Sequence, residues 1–423
     1  MDVAQVVQLD SPSWMADVYE PTPPMSTYLL AFTVCDFPMR RLTTASGVNV
    51  RWFGDLVTPS WWDDLWLNEG FASYVSQLSA YEMEPLGNVD DMIIAREMAP
   101  ALITDSLRAS HPISAVVKDP EQIGEIFDDI SYSKGASLIR MMQEILGETV
   151  FREGLKTFLR RHSYSHATTN DLWRALAEAS AEAGISIDLT SIMKTWTAQM
   201  GYPLVRLTCD GSSGTVTASQ ERFLLLREEG AAGRRGGGGD QAEYRWEVPL
   251  TVTAFMDSGR NESRLLWLHE ERERYEIAEF RDLGWCLGNF KMRGFFRMAY
   301  DEGNWEKIIH QMLTNHEVID VISRTQLFND AFWVARGDAL STVIPLRLSR
   351  YLAKETEVLP WWLALDSLKD MRGLMAWSRG YPDFLRYGVQ LLSPLYDSLG
   401  WEPSEAQNAL QRRDSDTPTA RVT

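Results

Sequence analysis

The period of the apolar pattern changes twice along this chain, and that change limits its fold more than any other feature. Leu67, Phe71, Tyr74, Val75 and Leu78 fall on one face of an α-helix. Ile123, Ile126, Phe127 and Ile130 repeat the signal, as do Leu138, Ile139, Met142 and Leu146 after Gly135. Asn170-Asp171 precedes a further helix through Leu172 and Leu176. Near residue 201 the period falls to two. Trp246, Val248, Leu250, Val252 and Ala254 alternate with their neighbours, the pattern of a half-buried strand, and Val205, Leu207 and Cys209 form a shorter one. From Asn304 the helical period returns, with helices expected over 304–314, 318–335, 340–354, 359–377 and 382–399.

The remaining segments lack that periodicity. Residues 1–50 are turn-rich, with one compact β-leaning run, Tyr28 to Val34, between Pro23-Pro24 and Pro38. The run from Gly230 to Gly239 reads as a flexible loop. It lacks the G-x-x-x-x-G-K-[ST] order of a phosphate cradle. Gln411 to Thr423 is polar and expected to fray.

At roughly 150 residues per domain, a chain of 423 residues makes about three domains. Its 45% hydrophobic and 24% charged content is that of a globular protein. With 59 acidic against 41 basic residues the net charge is −18. That argues against nucleic acid or an anionic membrane surface as a main partner, because both demand a basic face. Apolar runs fall well short of the roughly 20 residues of a membrane helix, and Met1-Asp2 opens no secretory signal. The chain as written reads as soluble. Cys35, Cys209 and Cys286 form no C-x-x-C pair. Three cysteines make neither a disulfide framework nor a thiolate zinc site.

Chemistry concentrates between Trp52 and Tyr74. There Glu69 opens a helix inside an aromatic, apolar run. A carboxylate so placed must be paired, metal-bound or protonated. Two readings stand: an acid that complements the helix dipole, or a metal-binding or catalytic group. Tyr132, beside Ile126, Phe127 and Ile130, reads by itself as a packed tyrosine.

Five stretches together resemble the zinc aminopeptidases of the aminopeptidase N type, the gluzincin ectopeptidases. They are Thr22 to Phe32, the run 52–74, Ile130-Ser-Tyr-Ser-Lys-Gly-Ala-Ser137, Trp196-Thr-Ala-Gln-Met-Gly-Tyr-Pro203, and Gly294-Phe-Phe-Arg-Met-Ala-Tyr-Asp301. They stand in the family's order and span most of the chain. The resemblance implies a multidomain α+β architecture: a remnant of an amino-terminal β domain over 1–50, a mostly helical part of a thermolysin-like catalytic domain over 51–200, a β-sandwich over 201–300, and a truncated helical array over 301–423. It implies peptides as partners, zinc as cofactor, and an ectoenzyme or secretory location. Glu69, in L-W-L-N-E-G-F-A, matches the third zinc ligand. Tyr132 matches the tyrosine whose hydroxyl stabilises the tetrahedral intermediate, as a positioned donor does.

One part of the family pattern is missing. The other two zinc ligands and the general base come from a helix reading H-E-x-x-H, which runs into Q-W-F-G. Here residues 51–68 separate Val50 from Glu69, so Val50 stands in place of the second histidine, Ser46 of the first, and Gly47 of the base. The G-A-M-E-N signature that holds the substrate's amino group is also absent. A block of sequence is lost at Val50–Arg51, as a skipped exon or a gene-model fault would lose it.

No other histidine replaces the motif. His162 and His166 have the i, i+4 spacing without a glutamate. His269-Glu-Glu-Arg-Glu273 ends in Glu, and His316-Glu-Val-Ile-Asp320 in Asp. These, with His111 and His310, read as solvated surface residues. Three outcomes follow for the chain: an incomplete version of a zinc aminopeptidase, inactive as written; a non-catalytic isoform that binds peptides or pairs with itself or with full-length chains; or a chain that does not fold stably. Without the zinc helix, Trp61, Trp62 and Trp66 are expected to be exposed and to favour aggregation. Asn261-Glu-Ser263 is an N-x-S sequon compatible with secretion.

Overall fold

The computed structural model describes residues 3–8, 15–19, 54, 56–83, 89–225 and 244–399. The run from Tyr28 to Val34, the glycine run at 230–239, the tail at 411–423, and Cys35, Ser46, Gly47 and Val50 lie outside the described residues. The chain is mixed α+β and divides into two compact units, Met1–Asp301 and Glu302–Thr423.

The first unit opens with strands β1 (Val3–Gln8) and β2 (Met15–Tyr19), paired antiparallel. Strand β3 (Val57–Pro59) then leads into helix α1 (Trp66–Met83). Short helices α2 (Val89–Ile93) and α3 (Ala99–Thr104) flank a π-helical turn at Ile94–Met98. The helical signal at 123–130 does not become one helix. It breaks into α4 (Pro120–Ile123), a 3-10 turn and a second π-helical turn at Ile130–Lys134. Next come α5 (Gly135–Leu146), α6 (Glu148–Arg161), β4 (Ser165–Ala167), α7 (Thr169–Glu182) and α8 (Leu189–Thr197). Strand β4 pairs in parallel with β3. Helix α7 starts earlier than Asn170-Asp171 suggests, because Thr168 and Asp171 form a reciprocal cap.

From residue 203 the backbone is extended. Strands β5 (Pro203–Asp210), β6 (Thr215–Arg222), β9 (Arg272–Glu276) and β11 (Arg297–Tyr300) form one sheet in the order β11-β5-β6-β9. Strands β7 (Val248–Met256), β8 (Asn261–Leu268) and β10 (Leu283–Gly288) form a second in the order β10-β7-β8. Strand β7 is not half-buried as its alternation suggests. It is the central strand, and Thr253 and Phe255 are buried along with Val248, Leu250, Val252 and Ala254. Trp285 stacks on Phe255 with ring centroids 3.8 Å apart. A disulfide between Cys209 on β5 and Cys286 on β10 joins the two sheets. The wide sequence spacing gave no sign of that pair.

The expected tryptophan exposure is corrected in the same unit. Trp66 is fully buried: its Nε1 donates to Thr169 Oγ1 at 2.9 Å and its ring lies 5.7 Å from that of Trp173. Trp62 is half-buried beside Phe127. Only Trp61 of the three is exposed, at 58%, and its Nε1 still donates to Val117 O.

The second unit is helical: α9 (Glu302–Asn315), α10 (Val321–Arg336), α11 (Val343–Leu348) continuing into a 3-10 segment, α12 (Val358–Met375) and α13 (Tyr381–Leu399). Every residue from Ile322 to Ala335 is buried, so α10 is the axis of this unit. Exposed apolar side chains gather in this unit: Leu365, Leu374, Trp377, Leu385 and Val389 lie on or beside α12 and α13.

A buried ion pair anchors α10. Arg324 meets both carboxylate oxygens of Glu355, at 2.8 and 3.0 Å, and donates to Ile319 O at 2.6 Å. Glu355 also accepts from the amides of Thr356 and Glu357 just before α12. Truncating one partner strands the other charge out of water. We expect Glu355→Ala to destabilise the unit by about 3–5 kcal/mol, and the paired change Arg324→Met with Glu355→Leu to cost clearly less. Urea denaturation of the three proteins checks the order.

Candidate functional site

Glu69 lies in the first turn of α1, and Tyr132 lies in the π-helical turn that precedes α5. What brings them together is a contact between glycines. A Cβ on Gly70 would lie 2.9 Å from the backbone of Gly135, and one on Gly135 would lie 2.9 Å from the Gly70 Cα. The two helix starts therefore touch backbone to backbone, with Glu69 and Tyr132 at the crossing. The Tyr132 hydroxyl donates to the Glu69 carboxylate. Burial, the Glu69 charge and that hydrogen bond push the Tyr132 phenol up to about 12, so it is a firm donor at neutral pH.

The turn that carries Tyr132 is π-helical, with the Lys134 amide donating to Asp129 O and the Gly135 amide to Ile130 O. Such turns need outside support, and carboxylates supply it from three sides. Asp128 Oδ1 accepts from the amides of Ile130 and Ser131 at 2.9 and 3.2 Å. Glu97, from the other π-helical turn, accepts from Ser133 Oγ at 2.8 Å and from Gln77 of α1 at 3.1 Å. Asp105 pairs with Lys134 at 2.8 Å, both side chains fully buried. Lys134 also donates to Gly201 O, while the Gly201 amide donates to Asp105 Oδ1. Tyr202 donates to Leu102 O and accepts from Arg297, and Phe295 lies under the Lys134 ammonium at 5.7 Å. The stretches around 132, 201 and 296, far apart in sequence, converge behind Tyr132.

His111 completes the support. Its Nε2 lies 2.9 Å from Asp128 Oδ2 and its Nδ1 2.8 Å from Pro112 O. Both ring nitrogens face acceptors, the geometry of an imidazolium. The Asp128 contact, against the opposing effect of burial, raises the His111 pKa, and the Asp105 charge adds to it. Burial works against Asp128 ionisation, but His111 and the Ser131 and Ile130 amides outweigh it and lower its pKa. His111 is thus not a solvated surface residue without a partner, and neither is His316, which is buried 5.9 Å from the Tyr351 ring. His162, His166, His269 and His310 lie at or near the surface. No motif singles out Glu97, Asp105 or Asp128, whose partners lie from 2 residues away, as the Ile130 amide does from Asp128, to 96, as the Gly201 amide does from Asp105.

Over residues 47–196 the chain matches the peptidase family M1 domain, and over 285–416 the ERAP1-like C-terminal domain. It is 38% identical over 354 residues to aminopeptidase N of Rattus norvegicus, covering 82% of this chain and 35% of the relative. It is 34% identical over 362 residues to the thyrotropin-releasing hormone-degrading ectoenzyme of Mus musculus, covering 85% of this chain and 34% of the relative. The figures for aminopeptidase Ey of Gallus gallus are 36% over 352 residues, 82% and 35%. The chain belongs to the M1 peptidase family. It spans about a third of the length of these M1 relatives.

Among the described residues, the donors around Glu69 do not make up a zinc site. Glu69 supplies one carboxylate, already bonded by a phenol. Among the described residues no three His, Cys, Asp or Glu side chains gather as a metal group. Ser46, Gly47 and Val50 bring neither imidazole nor carboxylate.

Two measurements probe the support of Tyr132. Gly135→Ala forces a methyl into the Gly70 backbone, and overpacking of this kind costs about 1–3 kcal/mol. Its urea midpoint is expected to fall even though alanine favours a helix. The second concerns pH. A raised histidine pKa gives stability that is complete below the unfolded value, about 6.5, and lost as pH rises through the folded value. A lowered aspartate pKa gives stability that is complete above about 3.9 and lost as pH falls through the folded value. The contact is therefore strongest between about pH 4 and 6.5. We expect His111→Ala to cost about 0.5–1 kcal/mol there, since the pair is partly exposed, and the deficit to shrink at higher pH. Thermal unfolding on both sides of the window reads this.

Proposed function

We propose that this polypeptide carries the helical half of a metallo-aminopeptidase site and does not itself hydrolyse peptides. In this reading 51–200 is part of a thermolysin-like catalytic domain, 201–300 a β-sandwich and 301–423 part of a helical array, after a remnant β domain at 1–50. Glu69 holds the place of the third zinc ligand, and Tyr132 that of the donor to the developing oxyanion. The observation that supports it is the hydrogen bond between them. The two side chains assigned to one reaction centre meet, yet the carboxylate is taken up by the phenol and the sequence supplies no H-E-x-x-H.

The size of the deficit follows from the missing groups. Loss of a residue that merely orients a ligand costs about 10–100-fold in affinity or activity. Here two direct ligands and the base that activates water are missing. Peptides with a free amino terminus are the substrate class of the complete enzyme, and the cell surface or secretory lumen its place. A non-catalytic form that binds peptide or pairs with complete chains is the second reading. It is favoured over an unstable fragment by the closed packing of Trp66 and the satisfied turn at 130–134.

The purified chain is expected to hold far less than one zinc per molecule by elemental analysis and to leave an aminoacyl anilide uncleaved. Glu69→Ala is expected to change neither result. One bound zinc, with turnover that Glu69→Ala abolishes, overturns the proposal. Sequencing the transcript across codons 45–55 of this chain completes the test: a longer message with H-E-x-x-H before Trp52 assigns the catalytic roles of Glu69 and Tyr132 to that longer product.

A further inference from the structure

Two features outside the site point to one modification. The first is Asn261-Glu262-Ser263, the only N-x-[ST] triplet of the 423 residues. The structure places it at the rim of the β10-β7-β8 sheet. Asn261 opens β8 directly after an exposed turn over 257–260, where Gly259 has φ +81°. Asn261 and Ser263 are both exposed. Strand β8 pairs with β7 on one side, and among the described residues no strand pairs with its other edge. A bulky group on the exposed Asn261 amide therefore meets no core.

The second feature is the Cys209–Cys286 disulfide, whose Cys286 side is fully buried between the sheets. Disulfides form and persist in oxidising compartments and are rare in the cytosol. The lumen that oxidises thiols is also the one in which N-x-[ST] asparagines acquire glycans. The exposed sequon and the disulfide are separate observations, and an oxidising secretory lumen accounts for both.

We infer that Asn261 carries an N-linked oligosaccharide and that the chain folds in the oxidising lumen of the secretory pathway. In the transfer, the Asn261 Nδ2–C1 bond to the first sugar forms and the C1–O bond to a polyprenyl diphosphate donor breaks. The diphosphate leaves with the electron pair, and an Nδ2 proton goes to a base of the transferase. In the disulfide step, the Cys209 and Cys286 thiols lose two electrons and two protons to a disulfide-bearing oxidant, which becomes a dithiol. Neither step depends on peptidase activity.

The protein isolated from its source tissue is digested without reduction, and treated with peptide N-glycosidase in heavy-oxygen water. The expected result is a Cys209–Cys286 crosslinked peptide together with labelled Asp at position 261. Secretory expression of variants gives the control. Asn261→Gln and Ser263→Ala are expected to lose one glycan's worth of mobility shift, whereas Ser263→Thr keeps it because the sequon survives. Ser263→Ala also removes the 2.8 Å contact with Thr253, and Ser263→Thr, which preserves that hydroxyl, separates loss of the sequon from loss of the contact. An oxidised Cys209–Cys286 pair with unmodified Asn261 overturns the glycan. Free thiols with unmodified Asn261 overturn the compartment as well.

Discussion

The backbone contact between Gly70 and Gly135 is the constraint on which the site depends. Any side chain at either position would push α1 and α5 apart. Because Glu69 precedes one glycine and Tyr132 lies in the turn that leads to the other, their hydrogen bond follows from that contact. The turn before α5 that carries Tyr132 is π-helical, and side chains from elsewhere in the unit hydrogen-bond to it.

Carboxylates hold the turn; Glu97 and Asp105 are buried, and burial makes their contacts strong and costly to lose. Asp105 and Lys134 are held away from water, so neither charge is tolerable without the other. Their shared contacts with Gly201 tie the helical segment to the first sheet of the same unit. The support of Tyr132 therefore reaches as far as Phe295 and Arg297, and a change in the sheets is felt at the turn.

Much of this order was legible in the sequence. The change of period located the helical and extended regions, and the apolar faces located several of the helices. Glu69 and Tyr132 stood out through L-W-L-N-E-G and I-S-Y-S-K-G. The misses share a cause. The signal at 123–130 is helical in spacing, but Asp128 satisfies the Ile130 and Ser131 amides and starts a new turn there. The alternation of β7 implies a wet face, which Trp285 covers. Trp66 was expected to lose its cover with the zinc helix, but Trp173 and Thr169 of α7 supply it.

By itself the sequence determined the family, the order of helical and extended segments, and the missing H-E-x-x-H, because local periodicity and short motifs are properties of neighbouring residues. Only the tertiary structure decided which groups meet across long separations: Glu69 with Tyr132, Asp105 with Lys134 and Gly201, His111 with Asp128, Cys209 with Cys286. Such pairs are chosen by packing and desolvation. A buried charge or thiol takes the partner that the fold brings within reach, and its own neighbours in the chain do not specify which one that is.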